Sequence, residues 1–186
     1  MPYKVFLVED EIVTRQGIRD HVDWPGAGFE FCGDAPDGEL ALPAIQATAP
    51  DVIITDIKMP FMDGLELCAI ARERWPWIKT IILSGHDEFE YAQQAIKLGV
   101  TEYLLKPVSR EDLKAALVRI AAGLDAERRE QERLRRLAWQ VEQHRELLRQ
   151  RLLLRLALGV VAPADAMREA LELGVDLAAR CYLVSV

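Results

Sequence analysis

The sequence predicts a three-layer α/β domain over residues 1–122, with a five-stranded parallel sheet covered by helices on both faces. Three observations carry this. Five apolar runs alternate with stretches of helical composition, the pattern of repeated strand-helix-strand units. The run Val52-Ile53-Ile54-Thr55, set between Pro50 and Pro60, shows no polar alternation, which fits a strand buried on both faces. That run ends on a single carboxylate, Asp56, at the sheet edge where parallel α/β proteins gather their chemistry.

Taken in order, residues 4–8 (KVFLV) form the first strand and run into Glu9, Asp10 and Glu11. Ile12 to His21 is the first helix, broken by Trp24-Pro25-Gly26-Ala27-Gly28. Phe29 to Asp34 is the second strand. Asp37-Gly38 opens a helix over Glu39 to Thr48, with Pro43 expected in its first turn, where a missing N–H is harmless. After the central strand, Asp63-Gly64 closes a loop, and Leu65 to Trp75 carries apolar residues at helical spacing until Pro76. Lys79 to Ser84 is the fourth strand, Asp87 to Leu98 a helix stopped by Gly99, and Thr101 to Leu105 the fifth strand, which ends at Lys106-Pro107, a candidate cis bond. Ser109 and Asp112 resemble a capping box opening the last helix of the domain.

That helix does not stop where the domain does. From Ser109 to Leu158 the sequence has no proline and one glycine, Gly123. Leu113, Leu117, Ile120, Leu124, Leu134, Ala138, Val141, Leu148 and Leu152 follow steps of four and three, a heptad seam with Glu127, Gln131 and Arg145 on core positions. The seam reads either as a homodimer interface over residues 113–152 or as an intramolecular packing stripe, and Arg128 to Arg136 as the wet side of the helix. The long helix, residues 109–158, thus forms a coiled-coil linker. Residues 159–186, with a helix over Pro163 to Leu173 and a strand over Cys181 to Val186, read as the start of a middle α/β domain. An apolar strand with no partner for its edge reads as part of a longer polypeptide.

Composition narrows the function classes. Residues 1–123 carry 12 Lys and Arg against 20 Asp and Glu, and residues 124–186 carry 11 against 10. The acidic first part argues against its binding nucleic acid directly. No apolar run approaches the roughly 18–20 residues of a membrane helix, and no signal peptide is evident. Cys32, Cys68 and Cys181 are widely spaced among apolar residues, which suits buried thiols in a cytoplasmic protein, and the scattered His21, His86 and His144 give no transition-metal pattern.

Strand ends in a parallel sheet share one edge, so Glu9 and Asp10, Asp56, Ser84 and Lys106 converge there without being near in sequence. Clustered carboxylates repel one another and call for a cation, and a hard, oxygen-preferring ion such as Mg²⁺ answers that. An ionised Asp56 would then serve as a nucleophile toward phosphorus, with Lys106 offering a point charge and Ser84 a hydroxyl donor. Each element also has a plainer reading: Glu9 and Asp10 as a solvated helix cap, Ser84-Gly85 as a turn.

The motifs VFLVEDE, DVIITDIKMPFMDG, IILSG and YLLKPV resemble, in order and at compatible spacing, the receiver domain of bacterial two-component response regulators. That resemblance implies a flavodoxin-like fold, phosphoryl transfer from a sensor histidine kinase to Asp56, and Mg²⁺ held by Glu9, Asp10, Asp56 and the main-chain carbonyl of Lys58. It implies that Lys106 contacts the phosphoryl group, and that Ser84 and Tyr103 move together as the switch. Tyr103 is otherwise an ordinary strand aromatic. Glu9 replaces the commoner aspartate, and Ser84 stands where threonine is as frequent. DWPGAGFEFCGDAPDG and LSGHDEFEYAQQAIKLGVTEYLLKPV resemble the subgroup with an AraC-type helix-turn-helix output, which implies transcription control through a DNA-binding part absent from this chain. The protein is then no enzyme beyond its own phosphorylation and dephosphorylation. A haloacid-dehalogenase-type phosphatase would want an aspartate where Lys58 stands, and a stand-alone receiver acting as adaptor or phosphate sink is the remaining alternative.

Overall fold

Every strand of the sheet is apolar where the sheet is covered, and its side chains divide between two faces because successive residues point to opposite sides. Val5, Leu7, Val52, Ile54, Ile81 and Leu83 form one core with Phe29, Leu113, Leu117 and Ile120. Phe6, Val8 and Ile53 form the opposite core with Ala41, Ile45, Leu67 and Ala71. Ile57 and Ile82 pack with Leu65, Cys68 and Ala95. A computed structural model describes residues 2–85 and 89–175, and the chain divides into two compact units, Met1–Asp125 and Ala126–Val186.

The first unit contains β1 (Tyr3–Val8), α1 (Ile12–His21), β2 (Phe29–Ala35), α2 (Gly38–Thr48), β3 (Val52–Asp56), α3 (Gly64–Arg74), β4 (Lys79–Ser84), α4 (Phe89–Leu98) and β5 (Glu102–Leu105). A long helix, α5 (Arg110–Ala157), begins in it, and α6 (Pro163–Leu173) lies in the second unit. The five strands are all parallel in the order β2-β1-β3-β4-β5, which is the flavodoxin-like receiver fold. The strand order reverses between β1 and β3, and the crevice outside their carboxyl ends is where this architecture binds ligands. No described helix is long and apolar enough to cross a membrane.

Two local features depart from the expectations. Pro43 lies inside α2 instead of in its first turn. Its missing N–H would have bonded the carbonyl of Glu39, and both residues are exposed, so water can satisfy that oxygen. In the β1–β2 pairing the register shifts between Val5 and Phe6, which leaves Cys32 as the extra residue of a bulge. Its thiol donates to the carbonyl of Val5 at 3.1 Å, and the following Gly33 has no room for a side chain, since a Cβ would meet the Phe6 ring at 2.8 Å. The other described thiol, Cys68, is pushed up to about 12 by burial, so both behave as packing groups.

The seam along α5 is covered at both ends within the chain. Leu113, Leu117, Ile120 and Leu124 belong to the core of the first unit. In the second unit Leu152 is buried with Ala166, Ala170 and Leu173 of α6, and Leu148 packs against them. The arginines help: Arg149 Nε donates to the carbonyl of Leu173 at 2.8 Å, and Arg155 pairs with Glu169 at 2.9 Å. A single interface running over residues 113–152 is thereby corrected, because a helix laid on a sheet or a short helix needs the same apolar spacing as a coiled coil. Between the covered ends, Leu134 and Val141 remain 57% and 67% exposed. The strand expected over Cys181 to Val186, and His86, lie outside the described residues.

The turn after β3 is held by backbone contact. Gly64 N donates to the carbonyl of Ile57 at 2.9 Å, and Asp63 and Glu66 form a full capping box at the start of α3. A Cβ on Gly64 would stand 1.9 Å from the carbonyl oxygen of Asp56. Gly64→Ala is therefore expected to lower stability by about 1–3 kcal/mol, as overpacking does. Thermal denaturation followed by circular dichroism checks this, and an unchanged midpoint would show that the turn gives way freely.

Candidate functional site

The carboxyl edge of the sheet assembles its side chains from three strand ends. Glu9 follows β1, where its own N–H bonds the carbonyl of Ala35 at 3.1 Å, and it is 1% exposed. Asp56 is the last residue of β3, and Ile57 N donates to its Oδ1 at 2.7 Å. Lys106 directly follows β5 and is joined to Pro107 by a cis bond, with its N–H bonded to the carbonyl of Ser84 at 2.6 Å. The Lys106 ammonium donates to Asp56 Oδ2 at 2.8 Å and to Glu9 Oε2 and Oε1 at 2.9 and 3.2 Å. Side-chain oxygens of Glu9, Asp10 and Asp56 all lie within 4.8 Å of one another.

Burial and charge act against each other here. Burial holds the Glu9 carboxyl above its ordinary range; the Lys106 hydrogen bond pulls it back down, and the neighbouring Asp56 and Asp10 charges push it up again. Burial alone would lower the Lys106 ammonium, but its hydrogen bonds to Asp56 and Glu9 outweigh that and raise it. Ionising Glu9 therefore costs more in this place than in water, and a further cation would lower that cost. The donor set fits Mg²⁺: the three carboxylates supply oxygen only, and a positive group, the ammonium, already stands between two of them.

The other expected residues share the edge to different degrees. Ser84, the last residue of β4, is 1% exposed, and its hydroxyl donates to the carbonyl of Gly85 at 3.2 Å. Asp56 pairs in register with Leu83, so Ser84 stands one residue beyond it on the neighbouring strand. Tyr103 pairs with Ile82 and lies half-buried against the cluster of Ile57, Leu65, Cys68 and Ala95, one layer below the acids. The ammonium of Lys58, in the loop after β3, stands 6.0 Å from the centre of the Tyr91 ring. Asp10 is exposed.

Sequence reasoning missed Arg15. From the second turn of α1 its Nη1 donates to the main-chain carbonyl of Glu9 and approaches that of Asp10 at 3.4 Å. Its Nε lies 3.7 Å from Asp34 Oδ1 at the end of β2. The signal available was an arginine five residues after the acid pair, on a helix with no buried residue of its own.

Residues 5–118 match the family model of the response regulator receiver domain. The chain is 40% identical over 122 residues to the uncharacterized transcriptional regulatory protein YesN of Bacillus subtilis, covering 66% of this chain and 33% of that protein. It is 37% identical over 123 residues to the transcriptional regulatory protein HptR of Staphylococcus aureus, covering 66% of this chain and 48% of that protein. The chain thus spans a third to about half the length of these curated relatives. Among solved structures, the REC domain of AraT, a response regulator from Geobacillus stearothermophilus, aligns with a TM-score of 0.65 at 41% identity over 69% of this chain and 99% of that one. A two component transcriptional regulator AraC from Clostridium phytofermentans aligns with a TM-score of 0.59 at 31% identity, over 63% of this chain and 91% of that one. Since the matched span takes in Glu9, Asp56 and Lys106 and covers more than half of the sequence, the chain belongs to the response regulator receiver domain family.

Proposed function

We propose that this protein is a phosphorylation-switched regulator in which Asp56 accepts a phosphoryl group from the histidine of a sensor kinase. One observation carries the reading: an ammonium, that of Lys106, is hydrogen-bonded to Asp56 and Glu9 at the switch point of the sheet. In the transfer, a carboxylate oxygen of Asp56 forms a bond to phosphorus as the phosphorus–nitrogen bond of the phosphohistidine breaks, and the electron pair stays with the imidazole. Glu9, Asp10, Asp56 and the main-chain carbonyl of Lys58 would hold Mg²⁺, which supplies positive charge to the phosphoryl oxygens. Lys106 would contribute a second positive charge, and Ser84 a hydroxyl within one residue of Asp56's neighbour on β4. Tyr103 is the aromatic that follows Ser84 when the switch turns. Water later returns Asp56 to the carboxylate, so the only chemistry is the protein's own phosphorylation and dephosphorylation.

The curated relatives named above are transcriptional regulatory proteins, and transcription control through an AraC-type output in the cytoplasm is the role that matches them. Intact mass after incubation with Mg²⁺ and acetyl phosphate tests the phosphoacceptor. A gain of one phosphoryl group is expected, absent in Asp56→Asn; a gain that survives that substitution overturns the assignment.

Lys106→Met leaves a buried Glu9 beside Asp56 without its cation. A loss of about 1–3 kcal/mol is expected from the unpaired charged groups. Added Mg²⁺ should raise the melting temperature more in this variant than in the unaltered chain, because binding to the native state stabilises it by mass action. Equal Mg²⁺ shifts would argue against a shared cation site.

We also infer a homodimer through the middle of α5, where Leu134, Ala138 and Val141 repeat at coiled-coil spacing and are exposed. Sedimentation should give a dimer for the unaltered chain and a monomer for Leu134→Arg with Val141→Arg. Equal masses would remove the interface.

A further inference from the structure

We propose that Arg15 is a positioning residue for the acidic site, setting the spacing of Glu9 and Asp10 through their main-chain carbonyls so that their carboxylates fit a divalent cation; this rests on the Mg²⁺ reading above. The three residues between β1 and α1 (Glu9, Asp10, Glu11) carry two of the three clustered carboxylates. The other polar ties of α1 do not reach Glu9 or Asp10: Thr14 donates to Glu11 Oε2, and Arg19 pairs with Asp34 at 3.5 Å. The helix has no buried residue, and its N-cap, Glu11, makes no side-chain capping bond. Ile18 packs partly buried against the core from the far half of the helix, so the apolar contact lies away from the start of α1.

Arg15 supplies the missing constraint with hydrogen bonds. Its side chain is 15% exposed, against 40% for Arg19 on the same helix. Nη1 reaches the carbonyls of both Glu9 and Asp10, and Nε is tethered 3.7 Å from Asp34 of β2. The planar guanidinium offers donors in a fixed fork, so it can join these groups in one geometry, which a lysine cannot reproduce. The contacts run to main-chain oxygens, and the carboxylates of Glu9 and Asp10 are left to the site. Residues that orient ligands in this way tune metal affinity without touching the metal.

The proposal fixes the sign of an experiment. Arg15 is a positive charge near a cation site, so electrostatics alone predicts that removing it tightens Mg²⁺ binding. Positioning predicts the reverse. Titration calorimetry of the full chain with MgCl₂, repeated with Mn²⁺ followed by electron paramagnetic resonance, should show Arg15→Gln binding about tenfold more weakly, the lower end of such outer-shell effects. Arg15→Lys keeps the charge but loses the fork, and should also bind more weakly, as should Asp34→Asn, which frees the tether. Phosphorylation from acetyl phosphate in Arg15→Gln should be slow at low Mg²⁺ and approach that of the unaltered chain at saturation. Unchanged or tighter Mg²⁺ binding in Arg15→Gln, or a lowered melting temperature with no change in affinity, overturns the proposal. If Arg15→Gln does not fold, Arg15→Lys and Asp34→Asn decide it by the same measurement. If the unaltered chain binds no Mg²⁺, the metal reading itself has failed and the positioning role falls with it.

Discussion

One ammonium ties the ends of three strands together. Lys106 reaches Asp56 at the end of β3 and Glu9 after β1 from its own place after β5, so the carboxyl edge of the sheet is closed by a charge instead of by packing. Two buried or half-buried carboxylates with a single cation are not a strong source of stability, since desolvation offsets much of the attraction. What the arrangement contributes is a defined geometry with unbalanced charge. Glu9 is held above its ordinary range, by burial first and then by its acidic neighbours, so the site is poised to accept more positive charge or to give up negative charge.

The surrounding fold makes that poise tolerable. β3 is buried on both faces, and the side chains before Asp56 are fully covered, so the strand cannot shift to relieve the repulsion at its end. The turn that follows is equally fixed, because Gly64 lies against the Asp56 carbonyl and the Asp63 capping box pins the start of α3. The β1 side is different. Glu9 is anchored by its strand, but the next helix has no fully buried residue, its Ile18 packs from the far half, and a polar tether through Arg15 joins its start to the acids. The site thus has one rigid wall and one wall whose position depends on hydrogen bonds.

Much of this was legible in the sequence, for identifiable reasons. Asp56, Glu9 and Lys106 could be placed together because a parallel sheet aligns its strand ends, and the five apolar runs were clear. The helix over Pro163 to Leu173 was equally plain, being framed by its own proline and by Gly174. Arg15 was not legible, because its partners are main-chain carbonyls that carry no residue signal. Pro43 misled because its cost depends on whether water reaches the carbonyl of Glu39, which is a property of the packed helix and not of the local sequence. The bulge at Cys32 was hidden for the same kind of reason: alternation alone does not announce one extra residue. The α5 seam was legible as an apolar stripe but not as to its partner. Leu117 meets a sheet and Leu152 meets α6, and at both positions the spacing is that of a coiled coil.

The same physics bears on how a charge change at Asp56 would spread. A phosphoryl group adds negative charge and acceptor oxygens to an edge where one ammonium already serves two carboxylates. On the proposed reading new donors are drawn in, and Ser84, buried and one residue beyond the β4 partner of Asp56, has among its contacts a hydrogen bond to the carbonyl of Gly85 at 3.2 Å. Turning that hydroxyl toward Asp56 exchanges a neutral hydrogen bond for a charge-assisted one, which is the stronger kind. On that reading it also alters the packing around Ile82 and Ala95, against which half-buried Tyr103 rests. The face formed by α4 and β5 is, on the proposed reading, where the switch becomes visible, because Ser84 at the end of β4 and half-buried Tyr103 on β5 join it to the acidic edge.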